Sequence, residues 1–424
     1  MKVVTRVLVL FVIVLLTGGA LGQGLRSVAP NGTGLANERL ARIGEVMNDH
    51  VAKGHIAGAI GLIARRGKVG YFETYGFQDK EANIAMRKDT IFRMYSMTKP
   101  ITGVAVMILY EEGKFYLTDP VSKYLPELAN MKVAVVETDS RTGKKTRYTV
   151  PAQREITILD LLRHTSGIDY GGPEDLDGKR IYEKLGTNAL DQTIGEMVKK
   201  IGQAPLVHQP GTMWEYGLSM DVLARLVEVV SRQPYDKFLE QRIFKPLAMV
   251  DTGYTVPPEK ANRFSKLYAP AENWSIKLNT TPAQGSYLKA AVNFGGGSQS
   301  VSTASDYLRF CQMLLNGGEL DGVRILSRKT VELMTSDHLN DMPRGSLLPT
   351  GYGFGFTMAV SHGAGKTGVI GSEGEYFWGG AAGTRFWIDP REQMIGIFMI
   401  QILPHTNLTY GTQFRQLAYQ AIAD

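Results

Sequence analysis

With 424 residues, 44% of them hydrophobic, the chain carries enough apolar material for a large core or for two lobes that share a cleft. A formal charge of +6 is mild at this size and comes with no long basic run or aromatic–basic alternation, which argues against a nucleic-acid partner. The single cysteine, Cys311, excludes an intramolecular disulfide and a cysteine-rich metal site, and the seven histidines show no paired ligand spacing, so no metal or other cofactor is expected.

The chain opens on a basic start (Lys2, Arg6), an apolar run from Val7 to Leu16 and a small-x-small triplet, Ala20-Leu21-Gly22. This pattern predicts a signal peptide over residues 1–22, export to the periplasm or medium, and no stable membrane insertion after cleavage. Removing Lys2 and Arg6 lowers the formal charge to +4. Leu40, Ile43, Met47 and Val51 then recur at helical spacing, and Gly54 is placed to stop that helix. Ala59–Ala64 and Val69–Tyr75 are β-like runs around Arg66-Gly67-Lys68, which predicts a hairpin. Another β-like stretch, Ile91–Met94, leads into Ser96-Met97-Thr98-Lys99 and a helix running to Gly113, with Pro100 in its first turn.

From about residue 100 to 290 the pattern is mainly helical. Met131–Val150 is the exception, a predicted hairpin with Asp139-Ser140-Arg141-Thr142-Gly143 at its tip. Leu223, Leu226, Val227 and Val230 mark a helix that follows Trp214-Glu215-Tyr216-Gly217-Leu218-Ser219. After Gly295-Gly296-Gly297, the segment Thr303-Ala304-Ser305-Asp306 reads as a capping box opening the helix that holds Cys311. Three β-like runs close the chain, Glu375–Trp378, Thr384–Ile388 and Met394–Ile400, followed by a helix with Phe414, Leu417, Ala418, Ala421 and Ile422 on one face.

These elements predict an α+β fold. Antiparallel strands from both termini form one sheet flanked by helices, and a mostly helical lobe is inserted between them. The expected organisation is a single domain over residues 23–424. Its α/β lobe takes about 35–95 and 295–424, and its helical lobe about 96–294. The cleft between lobes is the natural place for a site.

Three short segments carry candidate chemistry. On a helix, residues three apart share a face, so Lys99 can reach the Ser96 hydroxyl. The helix N-terminus favours negative charge developing on Ser96. Burial is expected to lower the lysine pKa and make it a base. Tyr216, at a loop-to-helix junction, can point a phenol into the cleft and serve as general base near a lysine. At Trp378-Gly379-Gly380-Ala381 two glycines allow a ligand close to a strand edge, and the backbone N–H groups of Ser96 and Ala381 can form an oxyanion hole. Taken singly, the three also suit an ordinary helix-start serine with a solvated lysine, a packing tyrosine and a simple hairpin turn.

In this order, the three segments resemble the penicillin-recognising serine hydrolases, most closely class C β-lactamases and the β-lactamase-like carboxylesterases of family VIII. The resemblance extends over Leu117-Thr118-Asp119-Pro120-Val121, Tyr124-Leu125-Pro126, Leu161-Leu162-Arg163-His164-Thr165-Ser166-Gly167 and Ser302-Thr303-Ala304. It implies Ser96 as the acylated nucleophile, Tyr216 with Lys99 as the base, and the Ser96 and Ala381 amides as the oxyanion hole. Class C enzymes carry Tyr-x-Asn where this chain has Tyr216-Gly217-Leu218, and Lys-Thr-Gly where it has Trp378-Gly379-Gly380. That places Trp378, Gly379, Gly380 and Leu218 on the substrate-binding side, with an indole in place of a cation. Lys366-Thr367-Gly368 spells the missing motif but lies in a glycine-rich stretch, not on a β-like run. The implied reaction is hydrolysis of small carboxylic esters, or amides, through an acyl-enzyme on Ser96. The alternatives are a β-lactamase or D-Ala-D-Ala carboxypeptidase, and a non-catalytic relative that binds cell-wall peptides.

Overall fold

The computed structural model describes residues 25–172, 179–284, 286–405 and 409–424. The predicted signal peptide therefore lies outside the described residues. The N-terminal part forms helix α1 (Asn37–Ala52) and strands β1 (Gly58–Arg65), β2 (Lys68–Asp79) and β3 (Ile84–Ala85). Its apolar stripe buries Leu40, Ile43 and Met47, and the chain leaves the helix through Gly54 at φ 71°. Helix α2 (Thr98–Glu111) and helix α3 (Ser219–Ser231) pack on each other in the inserted segment. The chain then forms helix α4 (Ala304–Leu315), strands β4 (Tyr352–Phe354), β5 (Ala359–Ser361), β6 (Tyr376–Gly379), β7 (Arg385–Asp389) and β8 (Met394–Met399), and helix α5 (Tyr410–Tyr419).

All eight strands join one antiparallel sheet in the order β4-β5-β6-β7-β8-β1-β2-β3. The two ends of the chain meet at its centre, where β1 pairs with β8 in the register Ile60–Met399 to Arg65–Met394. Every residue of both strands is buried, as their near-continuous apolar sequences require of strands covered on both faces. Strand alternation sorts the cover. Trp387 meets Phe414 of α5 on one face, with ring centroids 5.9 Å apart, and its neighbour Phe386 meets Tyr307 of α4 on the other at 5.2 Å.

The inserted segment leaves and returns through a short ribbon in which Phe92–Arg93 pairs with Val301–Ser302. Its regular elements are mostly helices, but among the described residues it also holds two ribbons. One, Lys132–Thr138 with Lys145–Pro151, lies where a hairpin is predicted. The other, Tyr268–Pro270 with Ile276–Leu278, has only three residues per strand and no alternation long enough to read. At Thr303 only half of the predicted capping box forms. The threonine oxygen accepts the Asp306 N–H at 3.2 Å, but the Asp306 carboxylate turns away to the Asp251 N–H and the Thr252 hydroxyl. Cys311 is a buried free thiol in the core. Among the described residues no helix is long and apolar enough to cross a membrane, and no cluster of metal-ligating side chains occurs.

Candidate active site

Ser96 sits in a single 3-10 turn, Tyr95–Met97, between the Phe92–Arg93 strand and α2. The turn is strained: Tyr95 has φ 47°, a left-handed conformation that costs a bulky residue about 1–3 kcal/mol. The surroundings over-determine it. The Met94 carbonyl accepts from Met97 N–H and Thr384 Oγ1, Met94 N–H donates to Ser300, and the Tyr307 hydroxyl donates to the Met97 carbonyl. The Ser96 hydroxyl is thereby held, half-buried, at the start of α2.

Lys99 lies one turn further along α2 and is fully buried. Its ammonium donates to Ser96 Oγ at 3.2 Å, to Tyr170 Oη at 2.9 Å and to the Gly297 carbonyl at 2.6 Å, and stands 4.6 Å from the ring centroid of Tyr216. The i, i+3 spacing thus brings serine and lysine together. The expected pKa shift is reversed, however. Burial alone would lower the lysine, but the surrounding Tyr170, Tyr216 and Asp221 outweigh it and raise Lys99 above its ordinary value. Three acceptors hold the Lys99 ammonium beside Ser96.

Tyr216 precedes α3 inside an aromatic cage. Trp214 stacks on it at 6.0 Å and 23°, His164 lies at 4.7 Å, Trp378 at 5.3 Å and Tyr170 at 5.6 Å between ring centroids. The Trp378 indole N–H donates to the Tyr216 oxygen at 3.0 Å. Trp378, buried at the end of β6, therefore spends its single donor on the tyrosine and turns only ring surface to a ligand.

Gly217 explains why the loop carrying Tyr216 can lie where it does. A Cβ there would come 2.0 Å from the Ile168 carbonyl, so the Tyr216 and Tyr170 loops could not approach. Gly217→Ala is expected to destabilise the protein by about 2 kcal/mol or more, because the clash is with backbone and cannot be relieved by a rotamer change. Urea unfolding midpoints of the two proteins check this.

His164 holds the same junction from beneath. It is buried at φ 56°, its carbonyl accepts the Glu215 N–H at 2.9 Å and its Nδ1 accepts the Gly217 N–H at 3.4 Å. Burial and the Lys99 charge push its pKa well below the usual histidine range, so it is a neutral structural acceptor. Thr165 and Ser166 complete the turn through bonds to Asp160 and Ser219.

The turn after β6 closes by Gly380 N–H to the Thr384 carbonyl at 2.7 Å and Gly383 N–H to the Gly380 carbonyl at 2.9 Å. Gly380 is glycine because a Cβ would lie 2.3 Å from the Met94 carbonyl; the close approach it permits is to the serine turn, not directly to a ligand. At Gly379 an added Cβ would meet only the Thr384 carbonyl, at 3.2 Å. Leu218 corrects an expectation. It is buried in the core as the residue capping α3, and it offers a ligand no accessible surface. Lys366 lies exposed in a helical turn, Ala364–Thr367, between β5 and β6, while β6 is the strand beside Ser96.

Two members of the site carry no sequence signature read in advance, Tyr170 and the Gly297 carbonyl. Tyr170 sits three residues after Gly167 in the His164 turn region. Burial raises its pKa above the ordinary phenol value despite the Lys99 charge, so it remains a protonated partner of the lysine.

A family model described as Beta-lactamase matches residues 43–422. Protein Rv1367c of Mycobacterium tuberculosis (strain ATCC 25618 / H37Rv) is 36% identical over 359 residues, covering 83% of this chain and 87% of that protein. Esterase EstB of Burkholderia gladioli is 28% identical over 371 residues, covering 82% and 87%. The solved structure titled "EstCE1, a hydrolase with promiscuous acyltransferase activity" superposes with a TM-score of 0.75 at 26% identity, covering 91% of this chain and 99% of that one.

Proposed function

Because this chain belongs to the beta-lactamase family of serine hydrolases, we propose that it is an exported esterase that cleaves small, uncharged carboxylic esters through an acyl-enzyme on Ser96. Ser96 Oγ attacks the ester carbonyl, and its proton passes to the phenolate oxygen of Tyr216 while the Lys99 cation balances the charge. The Ser96 and Ala381 N–H groups hold the oxyanion. The alcohol leaves with the proton, and water then releases the acid by the reverse sequence. Tyr170 keeps Lys99 between the serine and the caged phenol.

The observation that carries the choice of ester is the Trp378–Tyr216 hydrogen bond. β-Lactams and D-amino-acid peptides bring a carboxylate next to the scissile bond. At the place where Lys-Thr-Gly enzymes hold it, this site presents an indole whose one donor is already engaged. A partly buried carboxylate without a cation loses a few kcal/mol, roughly a hundredfold in the specificity constant. The same ring is a good wall for an uncharged acyl or alcohol group. Similarity to an esterase supports the reading.

Specificity constants for short-chain nitrophenyl esters are expected to exceed that for a reporter cephalosporin by about a hundredfold or more. Trp378→Lys is expected to narrow the gap. A wild-type preference for the cephalosporin would overturn the assignment in favour of a β-lactamase, and activity on neither would favour a peptide-binding relative. Export is tested by the N-terminus of the protein recovered outside the cytoplasm, which should begin near residue 23; an intact N-terminus in the cytosol refutes it.

A further inference from the structure

We propose that Asp221 is the buried counter-charge of Lys99, set against it across Gly297, and that it fixes the pH range in which the lysine works. The inference rests on the reading of Ser96, Lys99 and Tyr216 as the acylating centre.

Asp221 lies in the first turn of α3, 3% exposed. Its carboxylate accepts the Gly297 N–H at 3.1 Å, and the carbonyl of that same residue accepts the Lys99 ammonium at 2.6 Å. One residue therefore carries both charges, an anion at its N–H and a cation at its carbonyl. Asp221 makes no direct ion pair among the described residues. A carboxylate in such surroundings is protonated unless a cation is near. Burial does raise Asp221, and the Lys99 charge opposes that rise.

The other titratable groups facing it are phenols: Tyr170 from the site loop, with Tyr235 and Tyr254. Tyr235 shares a hydrogen bond with Thr102, and Tyr254 donates to the Gly295 carbonyl, so neither neutralises the carboxylate. Lys99 is the cation acting on Asp221, and Asp221 is the carboxylate acting on Lys99.

Holding Gly297 in place needs only an acceptor, which an asparagine amide oxygen supplies equally well. A buried carboxylate at this position has a second effect that an amide lacks. It favours the ammonium form of Lys99, and as a like charge it disfavours ionisation of the phenols. Asp221 is in this sense a positioning residue, acting on the reaction through Lys99.

The test is the pH profile of kcat/KM for nitrophenyl acetate in wild type and Asp221→Asn. With the carboxylate gone, the lysine that must stay protonated loses its counter-ion. The alkaline limb is expected to move to lower pH, by about one unit. A uniform drop in rate with unmoved limbs would mean a merely structural role and overturn the proposal. If the asparagine variant does not fold, Lys99→Met carries the test. There Asp221 is buried without a cation, its folded pKa rises, and the variant should gain stability relative to wild type as pH falls from 8 to 5. Parallel stability curves would overturn it. Fluorophosphonate labelling of wild type separates the two levels: no adduct on Ser96 sinks the parent reading, whereas an adduct with unmoved limbs sinks only the role of Asp221.

Discussion

Ser96→Ala is expected to lower ester turnover on the order of a million-fold while leaving the fold in place. The hydroxyl's partner in the structure is the Lys99 ammonium, which keeps Tyr170 and the Gly297 carbonyl when the serine oxygen is removed. The strained turn is also independent of that oxygen, because Met94, Met97 and Thr384 hold it through backbone and neighbouring side chains. Steady-state kinetics on the purified variant, with a urea midpoint matching wild type, checks both halves. Retention of more than about a tenth of the activity would place the nucleophile elsewhere.

Lys99→Met and Tyr216→Phe should each cost roughly a thousandfold or more in kcat, and the double variant little more than the worse single. The reason is geometric. Lys99 stands between Ser96 Oγ and the Tyr216 ring, so removing either group breaks one proton-transfer unit. Methionine retains the apolar stem that packs in α2 and removes only the charge. Tyr170→Phe loses one hydrogen bond from the cation and should cost less, roughly ten- to a hundredfold. Independent, multiplying losses at Lys99 and Tyr216 would make one of them a structural residue.

Much of this centre was legible because it is local. Ser96 and Lys99 share one helical face, Tyr216 precedes a helix with a clear apolar period, and Trp378 ends a β-like run next to a glycine pair. The central strands could be read for the same reason, since β1 and β8 are unbroken apolar runs flanked by turn residues. What escaped is non-local or has no side chain to read. Tyr170 reaches Lys99 from a loop 71 residues away, and Gly297 contributes only its backbone. The direction of the Lys99 shift escaped too. Sequence suggests burial, but not that Asp221 and two phenols converge on the same buried ammonium. For Leu218, a helix-capping position does not say whether its side chain points to the cleft or the core, and the core is where it lies.

The pairing of β1 with β8 also governs how the chain must be made. Ile60 finds Met399 only after roughly 340 further residues have been synthesised, which at about 5–20 residues per second takes on the order of 20 to 70 s. During that interval one side of β1 is covered, by β2 through the tight Arg65–Lys68 link, and the other is an unpaired edge on a strand that is apolar up to its last residue, Arg65. Such an edge is a template for pairing with a second nascent chain. Late, long-range closure of this kind also makes folding slow once the last strand arrives. Soluble yield is therefore set by a race between the arrival of β8 and the capture of β1 by a neighbour, and the strand that completes the sheet is also the one that protects it from aggregation.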